Sequence, residues 1–200
     1  MIKNKNMHPR QLEIAQALSS VDLTKAIIIS IDGFYYRTIS YRRSTESLST
    51  VGAEKTGGRF NFRPVDANSM PCLYCGEKDV AATTEKFYGL KRDNKPLPPH
   101  TVVSIAVKLN HVVDLSDRNQ CNLAGIDWDL LNEPWEYYQD RLKIAAYSQE
   151  IGRLVFESPQ LEAIKFTSTK LAGNYNLAIF TNKLKLDSSI QLYDPDGDLS

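Results

Sequence analysis

Several things are missing from this 200-residue chain, and each absence removes a class of function. No G-x-G-x-x-G or G-x-x-x-x-G-K-[ST] loop occurs, so neither of the common glycine-rich phosphate cradles is available. His8, His100 and His111 are scattered, with no HxxxH or HExxH, which argues against a helical zinc hydrolase site. Three cysteines cannot form a disulfide framework and fit a reducing compartment. Cys72 and Cys75 form a lone CxxC whose side chains would point to opposite faces of a strand, so two small buried residues are a better account of them than a metal or redox pair. The longest apolar run, Ala26 to Ile31, is about a third of the length needed to cross a bilayer. The opening MIKNKNMHPR has no apolar segment behind its lysines to act as a signal peptide. The expectation is a cytoplasmic protein without a membrane partner. Lys plus Arg and Asp plus Glu both number 24, so no net field draws the chain to nucleic acid or an anionic surface.

What is present suits one domain with a real core, since 42% of the residues are apolar and no repeat or low-complexity tract interrupts them. Pro9 to Ser19 has helical spacing and is expected to pack on the outside of the sheet. Ala26 to Ile31 and Phe34 to Tyr41 read as two strands separated by a turn at Asp32-Gly33. Ser44 to Thr56 reads as a polar surface loop. Further strands are expected at Cys72 to Cys75, Thr101 to Leu109 with a continuation to Leu115, Ala163 to Thr167, Asn176 to Thr181, and an edge strand within Leu184 to Tyr193. Helices are expected at Lys78 to Tyr88 and Lys143 to Glu157, a short helical turn at Asp127 to Leu131, and loops at Ser116 to Gly125 and in the proline-rich Lys91 to His100. About seven strands and three main helices without strict alternation define an α+β domain with a mixed, mainly antiparallel sheet. Residues 1–25 form a helical extension, 26–193 the domain, and 194–200 a polar tail. In that tail Asp194, Asp196 and Asp198 imitate part of a calcium loop but lack its flanking helices and closing glutamate.

The chemistry concentrates between Gly57 and Glu85. Gly57-Gly58 permits a tight turn that aims Arg59, Phe60 and Asn61 in a fixed direction. A proline-bearing loop with Pro64 and Pro71 leads to the strand of Tyr74, and Glu85 follows on a helix. In the preceding strand Arg37 shares a face with Tyr35 and Ile39, which calls either for a sheet edge or for an anionic partner. If the fold gathers them, Arg37 and Arg59 could fork onto a pyrophosphate and Tyr74 could stack on a ring. Glu85 could stabilise positive charge as a C–N glycosidic bond opens. Taken singly, each of these residues has a plain structural reading: a turn cap, a core tyrosine, a solvated helix carboxylate.

The segments FYYRTIS, LSTVGAEKTGGRFN, CLYCGEKDVAATTE, YSQEIG and IKFTSTKLAGNYNLAIF resemble the successive motifs of the RES domain. This family consists of toxins of Xre–RES toxin–antitoxin modules with an ADP-ribosyltransferase-like fold that degrade NAD. The resemblance implies NAD as substrate, no metal, a cognate antitoxin of the Xre type as partner, and nucleic acid contacted only through that antitoxin. It implies Arg37, Glu85 and Tyr74 as catalytic residues, and Arg37, Arg59, Asn61, Tyr74 and Ser168 as the groups around NAD. Arg42 competes with Arg37 for the family arginine, and Ser148 with Ser168 for the serine. The distance from the LST to the GGR segment favours Arg37. Two other outcomes stay open at this stage: a toxin that transfers ADP-ribose to a protein, and a silent module that only binds.

Overall fold

The computed structural model describes residues 7–63 and 69–197. Pro64 and Asp198, singled out above, lie outside them. Its organising element is a two-stranded ladder of unusual length. The strand β1 (Ile28–Ser40) runs antiparallel to β3 (His100–Leu115) from Ile28↔Val113 to Ser40↔His100. Dense β-branched and aromatic residues favour this extended backbone. Asp32-Gly33 does not turn: Gly33 pairs with Val107 inside the ladder, and the irregularity sits upstream, as a bulge between Ile29 and Ile31. The two strands expected there are therefore one. Thr101 to Leu109 continues to Leu115 in a single strand as expected, so the merging of the first two leaves six strands among the described residues where seven were expected.

The remaining strands are β2 (Cys72–Gly76), β4 (Ala163–Thr167), β5 (Tyr175–Phe180) and β6 (Ser189–Leu192). Their order is β1-β2-β5-β4-β3-β6, and because β1 also pairs with β3 the strands close on themselves. Among the described strands only β3 and β4 pair in parallel. The closure is uneven, because β1 and β2 share the single register pair Tyr36↔Gly76 and part on either side of it. β4 and β5 form the expected hairpin, and β6 is the expected edge strand on β3.

Alternation along the strands makes two cores. Ile31, Ile39, Leu73, Cys75, Val103, Ile105, Leu109, Leu177 and Ile179 fill the inside of the closed sheet. Cys72, Ala178, Phe180, Ile164 and Phe166 face outward beneath the helices. Each fully buried Leu, Ile or Phe contributes about 1.5–3 kcal/mol. Cys72 and Cys75 do fall on opposite faces, and both are free and buried.

The helices are α1 (Pro9–Leu18), α2 (Val51–Thr56), α3 (Asp79–Arg92), α4 (Arg118–Leu123), α5 (Trp128–Leu131), α6 (Trp135–Tyr137) and α7 (Tyr147–Glu157). α2 and α4 are helical where loops were expected. Asp117 caps α4 by accepting from Asn119 N and Gln120 N, a signal too short to outweigh the polar composition of the segment. α3 runs through Lys91 and Arg92 before the proline connector begins. α7 starts at Tyr147, four residues later than its periodicity suggests. The α1 helix packs mainly against α7, inserting Ile14 into the outer core. No described helix is long and apolar enough to cross a membrane.

Candidate active site

The turn between α2 and β2 is built by close approach. Gly57 has φ 75°, and a Cβ there would lie 2.1 Å from Gln139 Oε1. At Gly58 a Cβ would lie 2.7 Å from both Asn61 Oδ1 and the Tyr74 hydroxyl. Only glycine fits, so the two side chains can close over the turn. The Tyr74 hydroxyl donates to Asn61 Oδ1 at 2.8 Å and accepts from Phe60 N at 2.9 Å. Asn61 Nδ2 donates to the Ala53 carbonyl at 2.8 Å. Burial raises the phenol of Tyr74 well above its usual range, so it stays neutral and can donate. Asn61 is fully buried in this network and secures the turn from behind.

Arg59 leaves the turn into the interior and is only 9% exposed. Its Nη2 donates to the Leu131 carbonyl (3.1 Å) and Asn132 Oδ1 (2.6 Å), and its Nη1 to the Thr167 carbonyl (3.3 Å). The guanidinium lies over the rings of Phe60 and Phe166, at 5.6 and 5.2 Å from their centroids. Burial pulls its pKa down to about 10, against the opposing pull of Glu85, so it remains a cation at neutral pH. Arg59 is thus a fixed positive charge tied to two distant chain segments, 131–132 and Thr167.

Arg37 answers the question posed by its strand. Its Nη1 and Nη2 donate to the carbonyls of Ser47 and Ser49, both at 2.8 Å, so the polar partner it needs is the loop folding back over β1. Burial lowers its pKa, with the Cys75 and Cys72 thiols opposing. Arg42 is exposed in the turn that follows β1, whereas Arg37 borders the cavity described next.

The opening of β1 from β2 leaves a hollow of about 580 Å³, roofed by α3 and the 57–59 turn. Arg37, Arg59, Tyr74 and Glu85 all line it, although 48 positions separate the first from the last (85 − 37). Lys86, Trp135 and Asn176 line it as well. Lys86 reaches the Thr38 carbonyl at 3.1 Å, and burial lowers its pKa, aided by Arg37 and Arg43. Glu85 is anchored through a single oxygen: Ser168 Oγ donates to Oε1 at 2.5 Å and Asn176 Nδ2 at 3.0 Å. The serine proton has little choice of direction, because Ser168 Oγ also accepts from Lys170 N (3.2 Å) and Leu171 N (2.9 Å). Ser148 is completely buried on α7, does not line the hollow, and its hydroxyl has no partner among the described residues. Among those residues no group of His, Cys, Asp or Glu is arranged to hold a metal ion.

Sequence reasoning missed Lys86, Trp135 and Asn176. For Asn176 a signal existed, a polar residue on the face that Ala178 and Phe180 continue, but polar strand starts are too common to stand out.

A carboxylate with one oxygen left open thus lies in this hollow beside the Arg37 and Arg59 guanidinium groups, with Tyr74 and Phe166 among its walls. Residues 35–200 match the RES domain family, and the chain belongs to it. The α+β fold is similar to that of a chain in the crystal structure of the M. tuberculosis MbcT–MbcA toxin–antitoxin complex. That similarity has a TM-score of 0.57 at 16% identity, covering 90% of this chain and 88% of the other. No curated protein matches the sequence.

Proposed function

We propose that this protein is a toxin that destroys NAD by breaking its nicotinamide–ribose bond, and that a cognate antitoxin, of the Xre type by family resemblance, holds it in check. The observation that carries the reading is the Glu85 carboxylate, fixed at Oε1 by Ser168 and Asn176 and placed in one cavity with Arg37 and Tyr74. Arg37 and Lys86 give that cavity a cationic side suited to the pyrophosphate. As the C1′–N1 bond lengthens, its electron pair moves to the pyridinium nitrogen and leaves neutral nicotinamide, while positive charge builds on the ribose. The free oxygen of Glu85 stabilises that charge. Water or phosphate then adds to C1′, and a proton is lost. Because Arg59 already donates to three backbone or side-chain oxygens, its part is to keep the floor positive and the 57–61 turn in place.

Purified protein is expected to release nicotinamide from NAD, and Glu85→Gln to slow this by about 100- to 1,000-fold. Running the assay with and without inorganic phosphate separates phosphorolysis from hydrolysis. Absence of nicotinamide release with NAD bound in calorimetry would support a silent binding module. ADP-ribose on co-expressed proteins would support a transferase.

A further inference from the structure

Asn176 sits where an apolar side chain would be expected. It opens the face of β5 that Ala178 and Phe180 continue, and only 4% of it is exposed. Its Nδ2 donates to Glu85 Oε1, while its Oδ1 is buried with no partner among the described residues. An orphaned buried acceptor is a cost of about 1–3 kcal/mol, which folding alone gives no reason to keep. The neighbouring strand makes room for the amide: Gly76 is its register partner, and a Cβ there would lie 3.1 Å from Asn176 Oδ1 and 3.0 Å from Ala82 N. Glu85, for its part, takes both donors on the same oxygen and leaves Oε2 without a hydrogen bond to the described residues.

We infer that Asn176 is a positioning residue of the reaction: with Ser168 it forms a two-donor clamp that locks Glu85 by Oε1 and presents Oε2 to the substrate ribose. The inference rests on the proposed NAD cleavage for its chemistry, though not for its geometry. Ser168 alone leaves the carboxylate free to rotate about the Ser168 contact. A second donor, from β5, fixes the plane of the carboxylate, so the lone pairs of Oε2 have one direction. Because the clamp touches the carboxylate and not the substrate, its loss falls on the chemical step and not on binding.

Asn176→Leu removes the donor while keeping the number and branching of the side-chain heavy atoms. It is expected to lower kcat for nicotinamide release about 10- to 100-fold, the range for a hydrogen bond to a charged group, while KM for NAD stays within about twofold. Ser168→Ala in the same background is expected to cost less than it does in the wild type, since both donors serve one oxygen. A rise in KM with kcat unchanged, or fully additive losses, would overturn the clamp. A crystal structure of Asn176→Leu gives a second readout that needs no turnover. Glu85 is expected to leave its wild-type rotamer, and finding it unmoved against Ser168 overturns the inference even if the protein proves inactive on NAD. Wild-type inactivity together with a displaced Glu85 would remove the proposed reaction and leave the clamp standing.

Discussion

At the scale of single residues, the carboxylate with the most hydrogen-bond donors among the described residues does not line the cavity. Glu162 is completely buried, and its Oε1 accepts from Asn110 N (2.8 Å), His111 N (2.9 Å) and Ser188 Oγ (2.8 Å). Its Oε2 accepts from Lys185 N at 2.9 Å. Burial pushes its pKa up, but the four donors outweigh burial and hold it below the usual glutamate value of 4.5. A group whose folded pKa is depressed lends stability that is whole above its unfolded pKa and is lost as pH falls through the folded one. Glu162→Gln is therefore expected to cost about 2–4 kcal/mol at neutral pH, and less as the pH drops below about 4. Urea titrations across that range check it, and an equal loss at acid and neutral pH would contradict the assignment. Nothing in the sequence marks Glu162, because its partners come from β3 and from the approach to β6. That Ser168 and Glu85 would come together, by contrast, was legible through motif order. What could not be read was that Asn176 joins them, since that depends on strand register, or that Asn61 and Arg59 turn their hydrogen bonds inward, since that depends on what packs behind the turn.

Among the elements, α7 holds the 57–61 turn by two contacts one helical turn apart. Gln149 Nε2 donates to the Gly58 carbonyl at 3.0 Å, and Gly152 lies so close that a Cβ would stand 1.9 Å from the Phe60 carbonyl oxygen. That neighbour is backbone, and it cannot step aside as a side-chain tip would. Gly152→Ala is expected to improve the intrinsic propensity of the helix by about 1 kcal/mol and still destabilise the protein by several, because the turn must be displaced. Thermal melts measure the loss, and a stabilised variant would show that the turn yields freely. The helix itself was legible from its periodicity, as was the β4–β5 hairpin from its loop residues. The long β1 was not, because Asp32-Gly33 carries a turn signature that twelve residues of pairing with β3 override. The short helices α2 and α4 owe their existence to packing and capping that no window of composition displays.

For the molecule as a whole, the closed sheet gives β3 a central place: β1 runs along one side of it, and β4 and β6 share the other. Amides from Val103 to Val113 are expected to exchange slowest with solvent, close to the rate of global unfolding. The exposed connector before β3 should exchange within the dead time. Fast exchange in mid-β3 would mean that the ring opens without unfolding.

The walls of the hollow are drawn from both halves of the chain. Arg37, Arg59, Tyr74, Glu85 and Lys86 precede the exposed residues around Asn94 to Pro99, while Trp135, Phe166, Lys170 and Asn176 follow them. A backbone severed at that connector would yield two fragments, each inert because neither encloses the hollow. Their reunion, driven by the β1–β3 ladder, would be the event that restores a complete pocket.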